Sequence, residues 1–234
     1  MNELLDEWLD ELSDAAHRAN AERIRAGLAS GAVSPAGLRA ALAGVPPAAR
    51  DAWIDRVFGL TAIADDDGRG LPRGCVPYLP CAVDTLLRTI DLAAIGAADV
   101  FVDLGSGVGR AAVLVHLLTG AAAIGLEIQP ALAAASRELA ARLGVSRFTA
   151  LEGDAARLAG GVADGTVFFL YCPFSGERLE QVLDGLEPIA RERPIRVCCV
   201  DLPLPPRPWL ALAAPSGDLD VYRSTYRSTL PARG

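Results

Sequence analysis

The densest chemical signal in the chain is Asp103-Leu-Gly105-Ser106-Gly107-Val-Gly109. It directly follows the apolar run Val100 to Leu104 and opens a helical pattern. Glycines at this spacing let the backbone turn tightly and let a ligand approach it closely. In an open α/β sheet, ligands collect at the carboxyl ends of the strands. A carboxylate at that place suits an ammonium better than a pyrophosphate, whose like charge it repels. The dinucleotide fingerprint is GxGxxG; here the third glycine comes one residue early and position 110 is Arg.

Four further segments carry candidates. Glu127 ends the next strand, where a carboxylate can accept hydrogen bonds from both hydroxyls of a ribose. NAD enzymes use the same device, so Glu127 alone does not choose a cofactor. Glu152-Gly153-Asp154-Ala155 follows a third strand, Phe169-Leu-Tyr171-Cys172-Pro173-Phe174 spans the end of a fourth, and Val76-Pro77-Tyr78-Leu79-Pro80 precedes the glycine loop.

The pattern DxGxGxG resembles motif I of the class I S-adenosylmethionine (SAM) dependent methyltransferases. That resemblance, over roughly residues 76–201, implies SAM as cofactor. Asp103 would then meet its amino group, Glu127 with Ile128 its ribose, and Asp154 and Ala155 its adenine. Gly105, Ser106, Gly107 and Gly109 would form the loop against it. The segment around Tyr171 matches the motif IV position that faces the transferring methyl. Only Pro173 and Phe174 fit the family's [Asn/Asp/Ser]-Pro-Pro-[Tyr/Phe], with Tyr171 in the place of the amide or carboxylate. Two readings stand for Tyr171: it lines the acceptor site, or it packs. Tyr78 likewise reads as a lid over the methionine end or as a packed loop aromatic. The glycine loop and this Tyr-x-Pro segment are also similar to those of the non-SET histone lysine methyltransferases.

Alternating strands and helices must position these residues. Strands are expected at 100–104, 123–127, 148–151, 167–171 and 195–201, with helices at 82–95, 109–119, 130–143 and 175–191. Apolar strands in such alternation form a parallel sheet covered on both faces. After Asp201, Leu-Pro-Leu-Pro-Pro-Arg-Pro rules out a crossover helix. Residues 209–213 and 219–225 read as a hairpin around Pro-Ser-Gly-Asp. The expected fold is therefore a Rossmann-like, mostly parallel seven-stranded sheet ending in an antiparallel hairpin. Residues 1–75 read as an N-terminal helical extension or lid, and 76–234 as the SAM-binding domain. In the extension, Leu5, Trp8, Leu9 and Leu12 recur at helical spacing. Ser34-Pro35 starts a second helix that ends at Gly44, and a third stops near Gly59. Residues 65–74 read as a loop. The apolar run Ala111 to Ile128 reads as a helix ending near Gly120 and a buried strand, not a membrane span.

The chain is 234 residues long, 51% hydrophobic, and carries a net charge of −7. An acidic balance opposes broad electrostatic capture of nucleic acid. Lys is absent, which removes Lys nucleophiles and Schiff bases. None of the five cysteines has CxxC spacing, so no zinc or redox motif is expected, and the Asp65–Asp67 triplet lacks calcium-loop spacing. Reduced thiols and an acidic start fit a cytoplasmic protein without a membrane anchor. His17 and His116 read as structural.

The expectation is methyl transfer from SAM to an acceptor the sequence does not identify, a small molecule before a protein. No metal is expected. A general base is needed only if the acceptor must lose a proton, with Tyr171, Tyr78 and Asp201 as candidates. The alternatives are a SAM-binding module without catalysis and a nicotinamide-dependent oxidoreductase.

Overall fold

The computed structural model describes residues 2–60 and 71–226, with side chains from residue 15 onward. The Leu5–Leu12 face and the Asp65–Asp67 triplet lie outside the described side chains.

Five strands run parallel: β1 (Val100–Leu104), β2 (Ala122–Glu127), β3 (Phe148–Glu152), β4 (Val167–Tyr171) and β5 (Arg196–Val200). They are joined by β6 (Leu210–Ser216) and β7 (Leu219–Ser224) in the order β3-β2-β1-β4-β5-β7-β6. β7 pairs antiparallel with both β5 and β6. The hairpin turns through Gly217 at φ 65°. The order reverses between β1 and β4, the place where such sheets leave a crevice for ligands.

Eight α-helices are described: α1 (Asn2–Ala29), α2 (Pro35–Ala43), α3 (Arg50–Phe58), α4 (Val83–Leu92), α5 (Arg110–Thr119), α6 (Pro130–Arg142), α7 (Ala155–Leu158) and α8 (Glu177–Glu192). Punctuation in the sequence sets several of their ends. The Ser34 side chain accepts from the Gly37 N–H at the start of α2, with Pro35 in the first turn. Left-handed Gly59 and Gly120 close α3 and α5. α7 escapes a periodicity argument because it is a single turn, capped by Asp154.

The two faces of the sheet have separate cores. One holds Leu104, Phe168, Leu170, Cys199 and Trp209 under α8. The other holds Phe101, Phe169 and Cys198 with α4, α5 and α6, so Cys198 and Cys199 point to opposite faces. Ile24, Leu28, Leu38, Leu42, Trp53 and Phe58 of α1 to α3 belong to this second core. α1 packs on α3 and α2 on α5. Trp53 and Phe58 are completely buried, and each contributes roughly 2–3 kcal/mol by burial. Among the described residues, no helix is long and apolar enough to cross a membrane.

Candidate active site

A cavity opens at the carboxyl ends of β1, β2 and β4. Its wall includes Asp103, Gly105, Ser106, Glu127, Ile128, Asp154, Ala155, Tyr78 and Tyr171, all singled out from the sequence. Gly107 and Gly109 stand one layer behind. A Cβ on Gly107 would lie 2.0 Å from the Tyr78 ring, and one on Gly109 would lie 2.8 Å from Ser136. Both have positive φ, 53° and 77°, so glycine is needed there for conformation and for space.

The loop is docked on β2. Gly105 and Ser106 both donate their N–H to the Leu126 carbonyl at 2.9 Å. Glu127 accepts from the Gly107 N–H through one oxygen and from the Gln129 N–H through the other, each at 2.8 Å. This buried carboxylate thus fixes the loop while it faces the cavity.

Asp103 is 3% exposed and has no cationic partner among the described residues. Burial pushes its pKa up to about 7, the nearby Glu127 charge adds to the rise, and the Ala112 backbone N–H acts against it. Arg110 is the one cation among the described residues lining the cavity. It is committed to Asp55 at 2.7 Å, Asp51 at 2.9 Å and the Cys81 carbonyl at 2.6 Å.

Asp154 caps α7 through the Ala156 N–H at 3.0 Å. Both its oxygens also accept from Arg178 at 2.7 Å. Arg178, which no sequence pattern marks, donates in addition to the Arg73 carbonyl at 3.2 Å. It thereby ties down the segment that crosses the site. That segment pairs with the end of the motif IV loop: Val76 donates to Pro173, Ser175 donates to Gly74, and Cys75 bridges Phe174.

Tyr171 is partly buried, lines the cavity and also packs against the core. Burial raises the pKa of Tyr171 and of Tyr78 above the usual phenol range. Cys172 follows at φ 44°, and its thiol donates to the Val200 carbonyl at 2.9 Å. Asp201 is exposed, also left-handed at φ 47°. Two non-glycine residues held in that region at adjacent strand ends concentrate backbone strain beside the site. Among the described residues no His, Cys, Asp and Glu cluster could hold a metal ion.

These features match known proteins. The family model described as histone methylation protein DOT1 matches residues 79–148, under a third of the chain. An RNA methyltransferase from Salinibacter ruber, solved with S-adenosyl-L-homocysteine (SAH), is 27% identical over 66% of this chain and 97% of its own, at a TM-score of 0.51. The fold is also that of yhhF of Escherichia coli, a proposed methyltransferase, at 21% identity over 70% of this chain and 98% of that one, with a TM-score of 0.52. No curated protein matches the chain in sequence. The chain has the fold of the class I SAM-dependent methyltransferases.

Proposed function

We propose that this cavity binds SAM through the residues read from the sequence and transfers its methyl group to a small organic acceptor. The observation that carries the cofactor half is Asp103: a buried carboxylate without a cation among the described residues, facing a cavity beside a second carboxylate. An isolated buried charge is costly until an opposite charge joins it. A ligand with an ammonium and a sulfonium answers that need, and a dinucleotide pyrophosphate does not.

When bound, SAM supplies a methyl group already activated on sulfur. The protein's own residues then have three tasks. Asp103 holds the amino end, Glu127 accepts from the ribose while it fixes the glycine loop, and Asp154 and Ala155 meet the adenine. Tyr78 covers the loop, and Tyr171 and Cys172 form the wall nearest the acceptor. Alignment is the main contribution, because displacement in line depends on geometry. Neither phenol is poised to take a proton, since burial keeps both protonated.

A small acceptor is supported by what surrounds the opening. The segment 71–79 crosses the site and is tied to residues 173–175. The sole lining cation among the described residues is already neutralised by two acids, so little there attracts a phosphate backbone. A protein acceptor is the second reading, because the DOT1 match is to a histone methylation family. That match stops at Phe148, before the acceptor wall at 171–174, and so speaks for the cofactor half.

The test is calorimetric titration with SAM, SAH and NAD, followed by detection of SAH release with panels of small molecules, histones and RNA. Binding of both adenosyl ligands and turnover with a small molecule are expected. Binding of NAD alone overturns the cofactor reading, and turnover only with histone or RNA overturns the acceptor reading.

A further inference from the structure

We infer that Arg110, with Asp51 and Asp55 of α3, is a positioning clamp that holds the Tyr78 segment against the glycine loop. The inference rests on the reading of Tyr78 as a cover for the cofactor site. Arg110 follows the last glycine of the loop and is 3% exposed. Its Nε donates to Asp55 at 2.7 Å and its Nη2 to Asp51 at 2.9 Å. Its Nη1 donates to the carbonyl of Cys81, three residues after Tyr78, at 2.6 Å. Asp51 Oδ1 also accepts from the Val83 N–H at 3.0 Å, which serves the open end of α4. Arg50 adds a bond from the same stretch of α3 to Asp84 at 2.5 Å.

One guanidinium thus joins the glycine loop, the end of the Tyr78 segment and a helix more than fifty residues earlier in the chain. The planar fork of Arg, with donors in fixed directions, meets all three; a Lys ammonium is a point charge and cannot reproduce this. The ring of Tyr78 lies so close to Gly107 that no side chain fits between them. Its position therefore depends on where the chain is held at Cys81. Neither Asp51 nor Asp55 lines the cavity, and the Asp55 carboxylate is linked to it through Arg110.

The experiment is a double-mutant cycle on the full chain with Asp55→Ala, Tyr78→Ala and the pair, read as SAH affinity by calorimetry and as ligand-free Tm. Asp55→Asn, which keeps the shape and an acceptor, is the second variant if Asp55→Ala does not fold. Each single change is expected to weaken SAH binding about fivefold or more, with the pair no weaker than Tyr78→Ala alone. Two results overturn the clamp: a lowered Tm at Asp55 with unchanged affinity, or factors that multiply in the pair. Unchanged affinity in Tyr78→Ala instead removes the cover reading on which the clamp depends, and so separates the two failures.

Discussion

Asp103→Asn should make the ligand-free protein more stable and the SAH complex weaker. A carboxyl carried from its ordinary 3.8 to about 7 by burial resists ionisation in the folded state. Kept ionised above pH 7, it costs on the order of 4 kcal/mol. The native state holds that proton longer than the unfolded chain does. Stability therefore falls as pH rises from 3.8 to about 7 and is level above that. Asn is neutral throughout and escapes the cost. At pH 8 the variant should melt higher, by up to about 8–16 °C for a chain of this length. The gap should close as pH is lowered toward 4.

Ligand affinity runs the other way. The ammonium of SAH needs the ionised form of Asp103, so wild-type affinity should fall about eightfold between pH 7.5 and pH 6. Above pH 8 the ligand's own amine loses its proton, which makes the profile bell-shaped. In Asp103→Asn the acidic limb should vanish, and affinity at pH 7.5 should drop at least tenfold. Calorimetry and thermal melts over pH 5–8 measure both arms. A flat wild-type affinity from pH 6 to 7.5, or an Asn variant that melts lower at pH 8, refutes the reasoning about this buried carboxylate.

Gly107→Ala puts a methyl group where the Tyr78 ring stands and strains a φ of 53°. It should cost about 1–3 kcal/mol in thermal or denaturant unfolding and weaken SAH binding more than tenfold. Arg178→Ala frees Asp154 and the Arg73 carbonyl together, so SAH affinity should fall a few-fold while Tm changes little, because the pair is near the surface. Removing residues 1–59 strips Trp53, Ile54 and Phe58 from a shared core and leaves Arg110 buried without its acids. The truncated chain should lose cooperative unfolding by circular dichroism; a folded, SAH-binding 60–234 fragment would show that the core tolerates the loss.

The lining of the candidate cavity was legible because its signals are local. Asp103, the alternating glycines and Glu127 lie within 25 residues, and each sits at a strand end that hydrophobic patterning locates. The strands themselves read well for the same reason: Val167 to Tyr171 is apolar throughout, as a strand covered on both faces must be. The one-turn helix α7 is too short to show a period, and the sequence points there only to a turn.

The support of the site was not legible, because ion pairs across long separations leave no period in a sequence. Arg110 entered the sequence reading only as an obstacle to a nicotinamide cofactor. In the fold it meets acids 55 and 59 positions away. The acidic residues of α3 drew no reading from the sequence, since two carboxylates at i and i+4 signal nothing without their partner. Arg178 is equally silent: a charged residue on the polar stripe of α8 that turns inward to Asp154. Both cases follow one physical rule. A carboxylate facing a cavity of low polarity is stable only where its surroundings supply charge or N–H donors, and those donors come from whichever chain segment the fold brings near. Glu127 takes backbone N–H groups, Asp154 takes Arg178, and Asp103 is left for the ligand. That division among three carboxylates of one wall, rather than any of them alone, is what the proposed binding of a cationic ligand rests on.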